Sequence, residues 1–483
     1  MRRTRIVATI GPASSDDETL FSLLQSGVNV CRLNYSHGEP EQKTELYQRI
    51  RDMEDKLGKP TCILADLPGP KLRLGEFDGI HILAMGSDVS LHCGIAHMED
   101  ASSSKLPVQY DGLSAELQQG DPVLLSDGLI RLVVKSSTGE RGGVVTCTVV
   151  DGGPISSRKG INVPGTMVDL PAIGPKDKVA LAHALDTGAD LIAVSYVRTP
   201  ADLQPAKDEI EARGLATWIV AKIEHPAALD HLDEILDSCN AVMVARGDLG
   251  VEIPLEEVPI AQQRIIDGAL ERGMPVIVAT QMLETMTVNP RPTRAEVSDI
   301  STAIRQGATG VMLSGETASG KYPLEAVQTM AKIAQSTEQG LDYSQVKPET
   351  VRRFKATRAV AHAGVELAKM VNASRILVAS QRGNAPRLVS ANRPGIPIIA
   401  VTTTIATARK VQLLPGVDSL VVEEMERGSK TMQSAIAQLV ASKEISAGDK
   451  VVAISGSPQA ISGVTSTARL YAVSQEGKIV GAE

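Results

Sequence analysis

The residues of this chain best suited to chemistry stand where short apolar runs end. Arg32, Asn34 and Ser36 close one run, Asp66 another, Lys222 and Glu224 a third, Arg246 and Asp248 a fourth, Thr280 and Gln281 a fifth, and Ser314 and Glu316 a sixth. Arginines, a lysine and carboxylates at the ends of buried segments are expensive to hold without partners or a ligand. Structural ion pairing is the plain alternative for any single member, and a ligand site is the better reading of the set. Glu224 and Asp248 offer hard oxygens suited to Mg²⁺ or Mn²⁺, which keep open positions for substrate oxygens. Lys222 lies two residues before Glu224, so strand alternation puts its ammonium on the same side. Arg32 supplies a planar fork for a phosphate or carboxylate. Cations converging on one point suit phosphoryl transfer, in which the protein positions groups and neutralises developing charge. The chain has no GxxxxGK[ST], so a nucleotide would bind without a P-loop.

The elements that must position these residues are legible as a rhythm. Apolar runs recur at RIVATI (5–10), VNVCRL (28–33), TCILADL (61–67), DLIAVSYV (190–197), TWIVAKI (217–223), AVMVA (241–245), PVIVAT (275–280) and GVML (310–313). Most are separated by polar-capped segments of helical period, such as the one opened by Ser14, Ser15, Asp16, Asp17 and Glu18. Eight strands alternating with helices predict an α/β (β/α)8 barrel, whose chemistry sits at the carboxyl ends of the strands. About 120 residues separate the third and fourth runs, far more than one crossover needs. Within them DVSLHCGI, DPVLLSDGLIRLVVKSS and GGVVTCTVV read as short strands broken by Gly, Asp-Gly and Pro. Residues 71–166 are therefore expected to form a small β-barrel inserted after strand three, standing over the mouth as a lid, with 1–70 and 167–343 forming the main barrel. The stretch GLDYSQVKPETVRR reads as a linker. Beyond it, RILVAS (375–380), PIIAVTT (397–403), SLVVEE (419–424), KVVAISG (450–456) and RLYAV (469–473) predict a separate C-terminal α/β domain over 352–483, regulatory or oligomerising rather than catalytic.

Composition narrows the function classes. With 57 acidic against 49 basic side chains the formal charge is −8, which argues against nucleic acid or an anionic membrane as the main partner. One Trp, three Phe and seven Tyr leave little material for base-stacking platforms. Cys31, Cys62, Cys93, Cys147 and Cys239 form no CxxC pair and read as reduced core residues of a cytoplasmic protein. The histidines show no HExxH spacing, so a metal here is expected on oxygen ligands. The apolar stretch after Arg2 and Arg3 ends at Gly11-Pro12, too short for a secretory segment, and no run reaches membrane-span length.

Taken together, ATIGPAS (8–14), CRLNYSHGE (31–39), KGINVPG (159–165), DLPAIGPKD (169–177), MVARGDLGVEIP (243–254), ATQMLETM (279–286), NPRPTRAEVSD (289–299) and MLSGETASGKYPLEAV (312–327) resemble the pyruvate kinase family. The resemblance implies transfer of phosphate from phosphoenolpyruvate to ADP, giving ATP and, after enolate protonation, pyruvate. It implies that Arg32 grips the transferring phosphate, that Lys222 stabilises it in flight, and that Glu224 and Asp248 hold the divalent metal. Ala245, Arg246, Gly247 and Asp248 with Thr280 match the pocket for the pyruvate carboxylate. Thr280, backed by Ser314 and Glu316, matches the relay that protonates the enolate carbon. Asn34, His37 and Arg73 match positions facing the nucleotide. A glycolytic, cytoplasmic, allosteric homotetramer is implied in the same way.

The chain departs from the family pattern at two places. Asn34, Ser36, Asp66 and the carbonyl of Leu67 match the potassium ligands of potassium-dependent members, but Leu67 replaces the usual threonine and Lys71 stands where those members carry glutamate. A fixed ammonium can deliver the positive charge of the monovalent cation, so activity without potassium is expected. In the C-terminal domain, the turn matching the effector cradle reads SQRGNAP (380–386), with Ala385 and Pro386 where a phosphate-binding hydroxyl is expected, and the loop SGSPQAISG (455–463) lacks a tryptophan. Ser380, Arg382, Gly383, Asn384, Thr402, Thr403 and Thr404 remain candidates for a phosphorylated effector, leaving a monophosphate effector and no effector as equal readings. Two other function classes use parts of this constellation: a metal-dependent lyase acting on 2-keto acids, and a non-catalytic phosphometabolite sensor.

Overall fold

The computed structural model describes residues 2–126, 128–341, 355–425, 430–456, 465–474 and 479–481. Its centre is a closed parallel barrel. Strands β1 (Arg5–Thr9), β2 (Val30–Asn34) and β3 (Cys62–Asp66) open it. Nine strands of the insertion follow: β4 (Leu72–Arg73), β5 (Ile80–Leu83), β6 (Asp88–Cys93), β7 (Lys105–Val108), β8 (Pro122–Leu125), β9 (Ile130–Ser137), β10 (Val144–Asp151), β11 (Gly153–Ser156) and β12 (Gly160–Asn162). The chain then returns through β13 (Leu191–Val194), β14 (Trp218–Ile223), β15 (Ala241–Ala245), β16 (Val276–Ala279) and β17 (Gly310–Leu313), and β17 pairs back onto β1. All eight apolar runs therefore become barrel strands in sequence order.

Strand alternation divides the buried side chains into two populations. Ile6, Ala8, Leu33, Ile63, Ala65, Ile192, Val194, Ile219, Ala221 and Ile223 face outward and pack with helix residues such as Leu20, Leu23 and Ile50. Val7, Val30, Cys62, Leu64, Leu191, Ala193, Trp218, Val220, Ala241, Met243, Ile277 and Met312 fill the interior. Continuing the period of two toward the carboxyl ends puts Thr9, Arg32, Asp66, Ser195 and Lys222 in the same inward series, so the apolar filling gives way to a polar top layer. The helix expected after Ser14–Glu18 is present, with Asp16 accepting from Thr19 N to cap Asp17–Gln25, and Thr293 with Glu296 forms a capping box on Arg294–Gln306.

The insertion is a twisted sheet in the order β4-β12-β8-β9-β10-β6-β7, with β5 and β11 as a separate pair. An antiparallel bridge between Leu74 and Val108, backed by Gly75 N to Pro107 O at 2.9 Å, joins its two edges into a small barrel around Leu91, Leu106, Val123, Leu132 and Val145. The short strands β4, β5, β7, β11 and β12 carry too few residues for their period to register in sequence. The C-terminal sheet has the order β20-β19-β18-β21-β22-β23, from β18 (Arg375–Ala379), β19 (Ile398–Thr402), β20 (Val417–Val421), β21 (Lys450–Ser455), β22 (Thr467–Val473) and β23 (Ile479–Gly481). β20 begins two residues before the expected SLVVEE, because Val417 enters the ladder opposite Ile398. Of the expected linker (340–353), residues 342–353 lie outside the described residues.

The C-terminal sheet is fastened beneath the barrel. Trp218, the first residue of β14, shares one apolar cluster with Leu388, Val389 and Val411. Arg409 Nε meets both oxygens of the buried Glu54 at 2.9 and 3.0 Å, and Glu54 also holds Arg51 at 2.9 Å. No described helix is long and apolar enough to cross a membrane.

Candidate active site

The polar top layer closes into one connected cluster. Arg32 Nε donates to Asp66 Oδ2 at 2.7 Å and its NH1 to Thr9 Oγ1 at 2.9 Å, leaving NH2 without a partner among the described residues. Lys222 Nζ lies 3.1 Å from Asp66 Oδ1 and 2.8 Å from Glu224 Oε1, and it donates to Ser195 Oγ at 2.7 Å. Glu224 Oε2 accepts from Tyr196 N at 2.7 Å. Asp66 and Glu224 are each 1% exposed, so these charges interact in a poorly screened setting. Burial opposes charge on Lys222, but Asp66 and Glu224 outweigh it and hold the ammonium above the ordinary lysine range. Burial raises the Glu224 carboxyl, Lys222 opposes the rise, and the nearby charge of Asp248 adds to it.

A second cluster lies beside the first. Arg246 grips Asp299 with NH1 at 2.9 and 2.7 Å and donates to Thr280 O at 2.7 Å. Thr280 and Gln281 have φ of 66° and 53°, a left-handed conformation that side chains of their kind adopt at a cost of about 1–3 kcal/mol each. The Arg246–Asp299 pair holds that turn from outside. From inside, Gly247 N donates to Thr280 Oγ1 at 2.7 Å, and Thr280 Oγ1 donates to Ala279 O at 2.7 Å. Ala245 ends β15, and the short helix Arg246–Glu252 carries Gly247 and Asp248 in its first turn. Glu316, fully buried, accepts from Leu283 N at 2.9 Å and Ser314 N at 2.7 Å, while Ser314 Oγ is buried with no hydrogen-bond partner among the described residues. Glu316 thus pins the backbone that follows Thr280, and the Thr280 hydroxyl itself faces Gly247 and Ala279.

The remaining expected residues ring these clusters. Asn34 Oδ1 accepts from Ser36 N at 3.0 Å, and the Leu67 carbonyl accepts from Ser195 Oγ at 2.8 Å. His37 is exposed, and its carbonyl takes Lys43 Nζ at 2.8 Å. Arg73 lies on β4, with NH1 on Arg158 O at 3.1 Å, and Lys71 is exposed just before it. In the C-terminal sheet, Gly383 N donates to Ser380 Oγ at 3.0 Å and Thr403 Oγ1 to Gln381 Oε1 at 2.8 Å, drawing the Ser380–Asn384 turn and the Thr402–Thr404 loop together. The strand order reverses between β18 and β21, so this turn stands at the edge of the crevice where open α/β sheets take ligands. Residues 457–463 of the expected effector loop lie outside the described residues.

Thr9, Ser195 and Tyr196 were not among the expected site residues, although they obey the rule that selected the others. Strands one and four also end in polar side chains, and the inward series of alternate residues reaches Thr9 and Ser195. Tyr196 turns the chain at φ 52° to aim its backbone amide at Glu224. The donor set fits a hard divalent cation: Glu224 offers a buried carboxylate, and the Asp248 carboxylate is close enough to raise the Glu224 carboxyl. No cluster of three or more His, Cys, Asp or Glu that could hold a metal occurs among the described residues, so such an ion would complete its shell with substrate or water oxygens.

Fold and site define a protein of the (β/α)8-barrel class whose mouth gathers paired cations and carboxylates. The family model of the pyruvate kinase barrel domain matches residues 1–327, and that of the pyruvate kinase alpha/beta domain matches 358–471. Pyruvate kinase 2 of Synechocystis sp. is 40% identical over 477 residues, covering 98% of this chain and 79% of that protein. The pyruvate kinase of Mycobacterium tuberculosis is 37% identical, covering 98% of this chain and 99% of that protein. A crystal structure of a pyruvate kinase from Cryptosporidium parvum superimposes with a TM-score of 0.91 at 32% identity, over 97% of this chain and 96% of that one. The chain belongs to the pyruvate kinase family, and it is a phosphotransferase.

Proposed function

We propose that this chain transfers the phosphoryl group of phosphoenolpyruvate to ADP, forming ATP and pyruvate in glycolysis, and that it does so without potassium. The observation that carries the reading is the top layer of the barrel. Arg32 is fixed at two points with NH2 left over, and Lys222 is kept cationic by the buried carboxylates of Asp66 and Glu224. In this reading Arg32 and Lys222 bind the transferring phosphoryl group from two sides, so charge that develops in transfer is met by groups already in place. Mg²⁺ or Mn²⁺ on Glu224 and Asp248 supplies Lewis acidity toward substrate oxygens. Ala245, Arg246, Gly247 and Asp248 hold the pyruvate carboxylate. Thr280 takes the proton step, on a turn fixed by Arg246 and by Glu316 with Ser314. Asn34, His37 and Arg73 face the nucleotide.

Potassium independence rests on Lys71 in place of glutamate and on the state of the monovalent site, where the Leu67 carbonyl already receives the Ser195 hydroxyl. The division into barrel segments 1–70 and 167–343, lid 71–166 and regulatory domain 352–483 belongs to the same reading, as do a cytoplasmic homotetramer and a phosphorylated effector at Ser380–Asn384 and Thr402–Thr404. The test is pyruvate formation from phosphoenolpyruvate and ADP with Mg²⁺ in buffer free of sodium and potassium, repeated with potassium added. Comparable turnover in both is expected. Turnover only with potassium removes the Lys71 argument, and no turnover in either removes the kinase reading in favour of a sensor.

A further inference from the structure

Among the partners of Lys222 Nζ one is neutral, and it is a side chain with no other assigned duty. Nζ donates to Ser195 Oγ at 2.7 Å, and the Ser195 hydroxyl donates to the Leu67 carbonyl at 2.8 Å. Nζ also lies 3.1 Å from Asp66 Oδ1 and 2.8 Å from Glu224 Oε1, so its other two partners are charged. Those carboxylates are also the groups for which incoming cations compete. Ser195 is neutral and 2% exposed, so it can hold Nζ without cancelling its charge. Its surroundings are tight. A Cβ on Gly69 would lie 2.5 Å from the Ser195 Cβ, and Gly69 sits at φ +74° with its N–H on Asp177 Oδ1 at 2.7 Å. Ser195 therefore stands where the segment leading from Asp66 into the inserted barrel crosses the strand end opposite Lys222.

We infer that Ser195 is a positioning residue for phosphoryl transfer: its hydroxyl fixes the Lys222 ammonium at the barrel mouth and ties it to the Leu67 carbonyl at the root of the insertion. This rests on the reading of Lys222 as the cation that meets the transferring group. A hydrogen bond to a charged donor is worth about 10- to 100-fold when removed. The loss falls on kcat, because a group aligned for the transition state adds little to ground-state binding, which Arg32 retains.

The experiment compares Ser195→Ala, Ser195→Cys and, as reference, Lys222→Ala, in steady-state turnover with phosphoenolpyruvate, ADP and Mg²⁺, alongside thermal melts. A thiol is larger than the hydroxyl and a poor hydrogen-bonding group, so it leaves no cavity while weakening the bond, and the thermal melts report any packing strain it adds. The expected result is a kcat about 10- to 100-fold lower for Ser195→Ala and still at least about fivefold lower for Ser195→Cys, with KM for phosphoenolpyruvate within about threefold. Full kcat in Ser195→Ala, full rescue in Ser195→Cys, or a change confined to KM each overturns the inference. If Ser195→Ala does not fold, the Ser195→Cys split decides. Turnover of Lys222→Ala at the parent rate removes the reading of Lys222 itself, whereas an inactive Lys222→Ala beside an unaffected Ser195→Cys removes only the role of Ser195.

Discussion

Arg32→Lys keeps a positive charge at the barrel mouth and removes its shape. In the structure the guanidinium is held at Nε by Asp66 at 2.7 Å and at NH1 by Thr9 at 2.9 Å, which aims the remaining nitrogen at a ligand. An ammonium has no fork: it can sit on the buried Asp66 or reach the phosphate, but not do both with aligned bonds. Losing one charge-assisted hydrogen bond to the transferring group costs about 1.5–3 kcal/mol, which is about 10- to 150-fold in kcat/KM for phosphoenolpyruvate. Thr9 supplies an internal control. Thr9→Val removes the acceptor that aims Arg32, so it is expected to cost several-fold in the parent chain and nothing further in the Arg32→Lys background, giving a coupling measurable in a double-mutant cycle. Initial rates of pyruvate formation over a range of phosphoenolpyruvate concentrations read both numbers. An Arg32→Lys variant within threefold of the parent, or a Thr9→Val effect of equal size in both backgrounds, refutes the two-point mounting of Arg32.

Three further outcomes are expected. Lys71→Glu restores the glutamate of potassium-dependent relatives and should make turnover rise at least about tenfold on adding potassium, while the parent chain responds little; equal responses end the built-in-cation argument. Thr280→Ala removes the hydroxyl that bridges Gly247 N and Ala279 O and should slow exchange of the pyruvate methyl protons with solvent by more than about tenfold, which proton NMR measures; unchanged exchange takes Thr280 out of the proton step. Lys410, buried over the Trp218 ring, is pushed down to about 8, chiefly by burial. A lysine whose folded value lies below its unfolded value binds fewer protons folded than unfolded, so stability rises with pH from about 8 to about 10.5 and is penalised below that window, by on the order of 3 kcal/mol. Lys410→Met should raise the thermal midpoint at pH 7 and flatten its rise between pH 8 and 10.5; parallel pH curves for the two chains refute the assignment.

What the sequence determined by itself is the part of this protein that depends on periodicity and on residue type. β-branched runs separated by capped helical segments bury their apolar faces in a parallel sheet covered by helices, eight of them match the count of a closed barrel, and a period of two inside each strand dictates that Lys222 and Glu224 face inward together with Val220 and Trp218. Residue type then named hard oxygen ligands and a guanidinium fork at the strand ends. The tertiary structure decided what depends on distances between segments far apart in the chain. Thr9, Asp66, Ser195 and Lys222 come from four strands, and only the lateral order of those strands in the sheet puts Asp66 between Arg32 and Lys222 or Ser195 between Lys222 and Leu67. The small strands of the insertion were illegible for the same reason: two to four residues have no readable period, and the bridge from Leu74 to Val108 that closes their sheet is a non-local contact. Glu316 shows both sides at once, since its charge marked it as a site residue while its place, fully buried on the amides of Leu283 and Ser314, came from how strands seven and eight end beside each other.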